Sequence, residues 1–279
     1  MTPWSGGEFP PRAECLLAPN PGVMTLDGTN TWVLREPSSD GAARAIVIDP
    51  GPVEDGHLDR LVEETGEVGL VLLTHHHFDH SEVAVAFAEA KGCAVRAFDP
   101  AYCFRADPVA DGELLDVDGL ALRVVTTPGH TADSISLVLP AQKALLSGDM
   151  VLGRGTTVVA HPDGQLGPYF DSIEKMRALV AAGEVEAIWP AHGPVLDDAG
   201  AVLDHYLVHR RERLGQVESA LRELAVPLTP ELAEDDTLPR RVVEVVYADV
   251  DQSVWFAAEM SVRAQLAYLA GSPGFEARR

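Results

Sequence analysis

Four residues of the run Thr74-His75-His76-His77-Phe78-Asp79-His80 form a His-x-His-x-Asp-His pattern. Three imidazoles and a carboxylate packed this closely (His75, His77, Asp79 and His80) concentrate metal-binding power that neither a core nor a solvated surface needs. Such borderline-to-hard nitrogen and oxygen donors suit zinc, and also iron or manganese. In extended backbone, residues two apart point the same way, so His75 and His77 can pinch one metal while His76 faces elsewhere in a supporting role. Asp79 and His80 come where the chain turns into a helix and can reach a second metal. Three more donors sit in tight turns after apolar runs: His130 in Pro128-Gly129-His130, Asp149 in Ser147-Gly148-Asp149, and His192 in Ala191-His192-Gly193. Together these histidines and aspartates suffice for two metals that share one carboxylate, with a solvent molecule completing the pair.

The elements that must position these donors follow from hydrophobic pattern. Residues 68–73 read as a buried strand and 81–91 as a helix, which puts the histidine run at the carboxyl end of a strand, where α/β sheets carry their chemistry. Strands are expected at 31–35 and 45–48, paired across a turn at 37–41, and at 94–98, 120–126, 134–139, 144–146 and 186–189. Helices are expected at 53–65 and 172–182, and 99–119 reads as an excursion over the surface. Hairpin-like pairs mixed with strand–helix units predict an α+β fold, a mixed sheet or two-sheet sandwich with outer helices. From 198 to 225 the pattern is one amphipathic helix, with Leu207, Leu214 and Leu221 seven apart. Two further helical patterns follow within 231–271, broken by Pro239 and by residues 249–251. The expected organisation is a catalytic domain over 1–197, a linker helix over 198–226 and a small helical domain over 227–279.

A chain of 279 residues, 46% hydrophobic, can bury a large core. Its formal charge of -22 and the absence of any basic segment withhold the electrostatic footprint of a nucleic-acid binder. Cys15, Cys93 and Cys103 form no paired framework and read as ordinary buried thiols in a reducing compartment. No apolar leader or spanning segment stands out, so the expectation is a cytoplasmic protein without a membrane partner.

The ordered set of donors resembles the metallo-β-lactamase superfamily, over residues 20–194. The resemblance implies an αββα sandwich with a binuclear site. It assigns His75, His77 and His130 to one metal, Asp79, His80 and His192 to the other, and Asp149 to the bridge between them. It also implies a mechanism in which metal-activated hydroxide attacks, with Asp79 orienting it. A finer likeness lies in Asn20-Pro21-Gly22, in the stretch 25–31, and in the tail around 242–247 and 257–266. These are similar to the branch with a carboxy-terminal winged helix, which includes endoribonucleases and many hydrolases. The chain stops soon after Gly271, so a β-hairpin wing is expected to be short or absent.

The expected function is hydrolysis of a small ester, thioester or lactone-like substrate by two divalent metals, most naturally zinc. Cleavage of single-stranded RNA is the alternative, and lactam hydrolysis or a non-catalytic binding role ranks below both. The tail is expected to pack on the catalytic part or to make a homodimer contact. For substrate contacts the candidates are Asn30, in a turn that could bond the active-site loops, His161 at the mouth, and Tyr169 and Phe170 ahead of the 172–182 helix. The basic cluster His209-Arg210-Arg211-Glu212-Arg213 reads first as a solvated helix face with close ion pairs, and second as an anchor for an anionic substrate group.

Overall fold

The computed structural model describes residues 3–38, 42–249 and 251–271, so the turn expected at 37–41 lies largely outside the described residues. Two sheets are stacked face to face. The first runs in sequence order through β1 (Gly7–Phe9), β2 (Ala13–Leu17), β3 (Asn30–Leu34), β4 (Ala45–Ile48), β5 (Val68–Leu72) and β6 (Ala94–Arg96). It is antiparallel up to β4 and parallel from β4 to β6. The second contains β7 (Leu114–Val117), β8 (Leu120–Thr126), β9 (Ile135–Leu139), β10 (Ala144–Gly148) and β11 (Ala187–Pro190), with β11 at one edge and β7 at the other. Only its β10–β11 pair is parallel.

Strand periodicity explains the layers. Successive side chains alternate between faces, so Ile46, Ile48, Leu70 and Leu72 point to the inter-sheet core, where they meet Leu122, Ile135, Leu137 and Leu146. Their neighbours Ala45, Val47 and Val71 point outward under α1 (His57–Glu64) and α3 (Ala84–Lys91), with the one-turn α2 (Phe78–Ser81) between these two helices in the chain. On the far side, Val138, Leu145 and Ile188 lie under α4 (Leu166–Ala181) and the first half of α5 (Ala199–Glu223). Both sheets are covered on both faces, which is why β4, β9 and β10 are buried throughout. The result is a helix–sheet–sheet–helix sandwich, the expected α+β class.

Several local expectations shift. Strands β1, β2 and β7 were not anticipated, because Glu8, Pro10, Pro11, Arg12 and Glu14 break the alternation of the first two and acids frame the third. The helix expected over 81–91 is α3, which starts at Ala84, while Ser81 ends the separate turn α2. Helix α4 starts at Leu166 rather than 172, because Pro168 sits in its first turn, where a missing N–H costs no helical bond. Tyr169 and Phe170 are therefore inside that helix, not ahead of it. Pro239 likewise begins a helix, α6 (Leu238–Val246), and does not break one.

Helix α5, whose first turn is capped by Asp198 on the Ala201 N–H at 2.9 Å, belongs to two packing units. Leu203, Tyr206 and Leu207 pack against the second sheet's outer face, whereas Val217 and Leu221 pack with Val242, Val243 and Leu266 of the tail. The last helix, α7 (Trp255–Gly271), returns to the body through Ala264 and through Tyr268, whose ring lies 5.8 Å from that of Phe170. Among the described residues of 226–271 there is no strand, so the winged-helix likeness rests on helices alone. Among the described residues no helix is long and apolar enough to cross a membrane.

Candidate metal centre

The seven donors arrive from strand ends on both sheets. The stretch after β5 delivers His75 and His77 and runs into α2, which carries Asp79 and His80. From the second sheet, the turn after β8 delivers His130, the end of β10 delivers Asp149 and the end of β11 delivers His192. The cluster thus straddles the seam, which backbone bonds also cross: the Ile135 N–H donates to the Thr74 carbonyl at 2.8 Å and the Asn30 N–H to the Ala191 carbonyl at 2.7 Å. Close approach needs glycine at Gly129, where φ is +148° and a Cβ would lie 2.4 Å from the Tyr169 Cα. At Gly148, φ is +51° and a Cβ would press on the Thr74 side chain at 2.8 Å.

The donors fall into two groups. His75 Nε2 lies 3.0 Å from His77 Nδ1, and His130 Nε2 lies 3.1 Å from that same atom. In the second group Asp79 Oδ2 is 3.5 Å from His80 Nε2 and 3.2 Å from His192 Nε2. Asp149 stands between them, its Oδ2 3.5 Å from His130 Nε2 and its Oδ1 3.3 Å from His192 Nε2. Each trio could hold one ion, and the carboxylate between them faces both.

Charge separates the groups further. Burial, then the surrounding imidazoles, holds His75 well below the ordinary histidine value and brings His77 down to about 4. Burial also lowers His130, against the pull of Asp149. Around His80 and His192 burial is outweighed. Asp79, Asp49 and Asp149 raise His80 well above its usual value, and Asp149 with Asp79 raises His192 to about 9. Both site carboxylates, although buried, are held well below the usual range by His80 and His192.

Three buried atoms of this cluster, His80 Nε2, His192 Nε2 and Asp149 Oδ1, have no hydrogen-bond partner. Buried polar atoms are normally paired, and here they converge on one space, so the donor set fits divalent cations. The other ring nitrogens are held from outside. His75 Nδ1 lies 3.1 Å from Thr74 Oγ1, His80 Nδ1 lies 2.9 Å from Asp49 Oδ2, His130 Nδ1 meets the Val158 carbonyl and His192 Nδ1 the Gly28 carbonyl. Asp49 is a residue the sequence reading missed. It is buried in left-handed backbone and also accepts from the Thr74 N–H and hydroxyl at 2.8 and 2.6 Å. Its signal was present, since Asp49-Pro50-Gly51 is another acid in a turn at a strand end. His76 turns away from the donors to Asp133, at 2.8 Å, in the supporting position its place in the motif predicts.

A cavity of about 590 Å³ opens on the donors, with His77, Asp79, His130 and Asp149 in its wall. The rest of the wall is mainly apolar and includes Val23, Met24, Leu26, Phe78, Leu152 and, from α7, Met260. None of the four residues expected to touch substrate lines it. Asn30 is fully buried and bound up in the protein: its amide donates to the Pro190 and Gly193 carbonyls at 2.9 and 2.8 Å and its oxygen accepts from Trp4 at 2.7 Å, so it holds the His192 turn. Tyr169 is buried with its hydroxyl on the Met150 carbonyl, Phe170 packs on Tyr268, and His161 lines a separate cavity beside α7.

A sequence profile of the metallo-β-lactamase superfamily matches residues 24–192, which contain every donor. The chain belongs to the metallo-β-lactamase superfamily. It is a hydrolase of that superfamily, whose members typically bind divalent metals. Among similar proteins, the beta-lactamase-like protein 2 homolog of Drosophila melanogaster is 32% identical over 274 residues, 91% of this chain and 86% of the relative. The atrochrysone carboxyl ACP thioesterase of Aspergillus chevalieri is 35% identical over 222 residues, 76% of this chain and 67% of the relative. The crystal structure of a β-lactamase domain protein from Burkholderia ambifaria superposes with a TM-score of 0.73 at 21% identity, over 96% of this chain and 89% of its own. The likeness of fold extends beyond residues 24–192.

Proposed function

We propose that this chain is a binuclear metal-dependent thioesterase acting on substrates with an apolar acyl part. The observation that carries this reading is the juxtaposition of the seven donors with a largely apolar cavity. His75, His77 and His130 would hold one ion, Asp79, His80 and His192 the other, and Asp149 would join them. Bound there, zinc, iron or manganese would bring a water towards ionisation at neutral pH and take up the charge developing on the carbonyl oxygen.

The chain's own residues supply the rest. Asp79 lines the cavity and its side chain is 28% exposed against 11% for Asp149, so it can accept a hydrogen bond from the attacking water and orient it. Phe78, in the variable position of the motif, is 77% exposed and offers its ring to the substrate beside Asp79. Val23, Met24 and Met260 surround the acyl part and exclude water from it. An acyl thioester suits this wall better than single-stranded RNA does, because most of the wall over the donors is apolar and its one arginine, Arg154, is already paired with Asp27. The relative named as an ACP thioesterase supports the same choice.

The test is metal analysis followed by assays with an acyl thioester, a nitrophenyl ester and a fluorescent single-stranded RNA. Two ions per chain and chelator-sensitive turnover of the thioester are expected. Cleavage of RNA alone would overturn the proposal.

A further inference from the structure

A second cleft, of about 310 Å³, adjoins the donor-facing cavity and shares Val23, Met24, Thr156, Thr157 and Val158 with it. Its far wall comes from α5 and α7: His209, Arg210, Arg213, Ser261 and Gln265. Among the described residues that line it, none is acidic, in a chain with 43 acids against 21 bases. That is an unusual concentration of positive charge for this molecule.

The arginines here differ from those nearby. Arg211 on the same helix is paired with Glu174, and Arg240 and Arg263 of the tail with Glu259 and Asp236. Arg210 and Arg213 face no carboxylate within ion-pair distance among the described residues. Arg213 donates to Gln216 at 2.9 Å and stacks on Tyr247, its guanidinium 4.8 Å from the ring centre. Arg210 is 95% buried by its 5% exposure, donates to the Thr157 carbonyl and stacks over Tyr169. Its Nε is buried without a partner, as is Oε1 of Gln265, which is 2% exposed.

Holding the 156–158 segment against α5 accounts for one bond of Arg210. It does not account for Arg213, His209 or the orphaned Nε–H of Arg210, which is a donor an anion would meet. A buried cation without a counter-charge is costly, and an anionic oxygen group entering the cleft would offset that cost with several charge-assisted bonds. Two arginines, an imidazole, a hydroxyl and an amide offer more donors than one carboxylate accepts and suit the oxygens of a phosphate.

We propose that this cleft is a phosphate subsite for the thiol arm of the substrate, whose acyl arm occupies the cavity over the donors. The proposal rests on the thioesterase reading above. It makes the preferred substrate a thioester of a phosphate-bearing thiol, with the scissile bond where the two spaces meet.

Two thioesters of one acyl group, on pantetheine and on pantetheine 4′-phosphate, differ only in the phosphate. The metal-loaded enzyme should prefer the phosphorylated one about tenfold or more in kcat/KM, through KM, and Arg213→Gln should erase most of that ratio. His209→Gln should reduce it less, and thermal melts check that both variants fold. A thioester of the same acyl group on a carrier protein then separates a free phosphate from a tethered one. An unchanged ratio in Arg213→Gln would overturn the subsite. If no thioester is cleaved, the functional reading fails, and calorimetry tests the cleft by itself. Pantetheine 4′-phosphate should bind wild type about tenfold more tightly than pantetheine does, with the difference lost in Arg213→Gln, and equal binding would dispose of the subsite.

Discussion

The two trios of donors lie side by side yet are electrostatic opposites. His75, His77 and His130 are imidazoles pressed together in a buried place, where burial and mutual repulsion keep them neutral. His80 and His192 are equally buried but face Asp79, Asp49 and Asp149, which favour the protonated form. Identical side chains thus take opposite charge states through their neighbours alone. The first trio is ready to donate lone pairs, whereas the second carries the negative charge that a doubly charged ion needs to leave water. Asp149 is common to both.

The sharpest way to break this comparison is to remove the shared carboxylate. Asp149→Ala should lower kcat by about a thousandfold or more and release both ions on dialysis, read by steady-state rates and elemental analysis. Wild-type turnover would sink the bridging role. Asp49→Asn should separate the halves. An amide in that place would set an N–H against either Thr74 N–H or His80 Nδ1–H, so affinity for the ion at the second trio should fall about ten- to a hundredfold. The first trio feels Asp49 only through Thr74, and a titration should show it retaining its ion better.

Gly129→Ala probes the first trio from behind. The added methyl meets the Tyr169 backbone in left-handed φ, so the expected loss is about 2 kcal/mol of stability in a denaturant melt, with His130 displaced. A melt within error of wild type would show that the turn yields.

The smallest effect is a proton count. In chelator-treated protein at pH 7, His77, brought down to about 4, is already neutral, so an ion entering the first trio displaces almost no proton from it. His192, raised to about 9, is still protonated and must lose its proton to ligate. Filling the second trio should release roughly one to two protons, so its affinity should rise with pH up to about 9, while that of the first, whose histidines are all lowered, should change little above neutrality. Calorimetry in buffers of different ionisation enthalpy counts them. Equal release at both would erase the contrast.

The donors were legible in the sequence because a metal shell needs particular side chains, and strand ends impose their spacing. The αββα layering was legible in part, since 68–73 is a continuous apolar run of the kind a doubly covered strand tolerates, although Ser134 and Ser136 interrupt the pattern in 134–139. Strands β1 and β2 were not, because the charges on them and the prolines between them imitate a loop. The cavity wall was hidden for a different reason. Val23, Met24 and Met260 look like any core residue, and only tertiary packing brings the chain's start and its last helix to one opening. Asn30 misled in the opposite direction, because a polar residue near donors is as useful for tying a turn as for touching substrate.

Met260 belongs to a helix that supplies none of the seven donors. How the bond is cut and what is admitted to be cut are thus written on separate stretches of chain. Exchanging α7 for that of a relative would change what the enzyme admits while its chemical engine stayed in place.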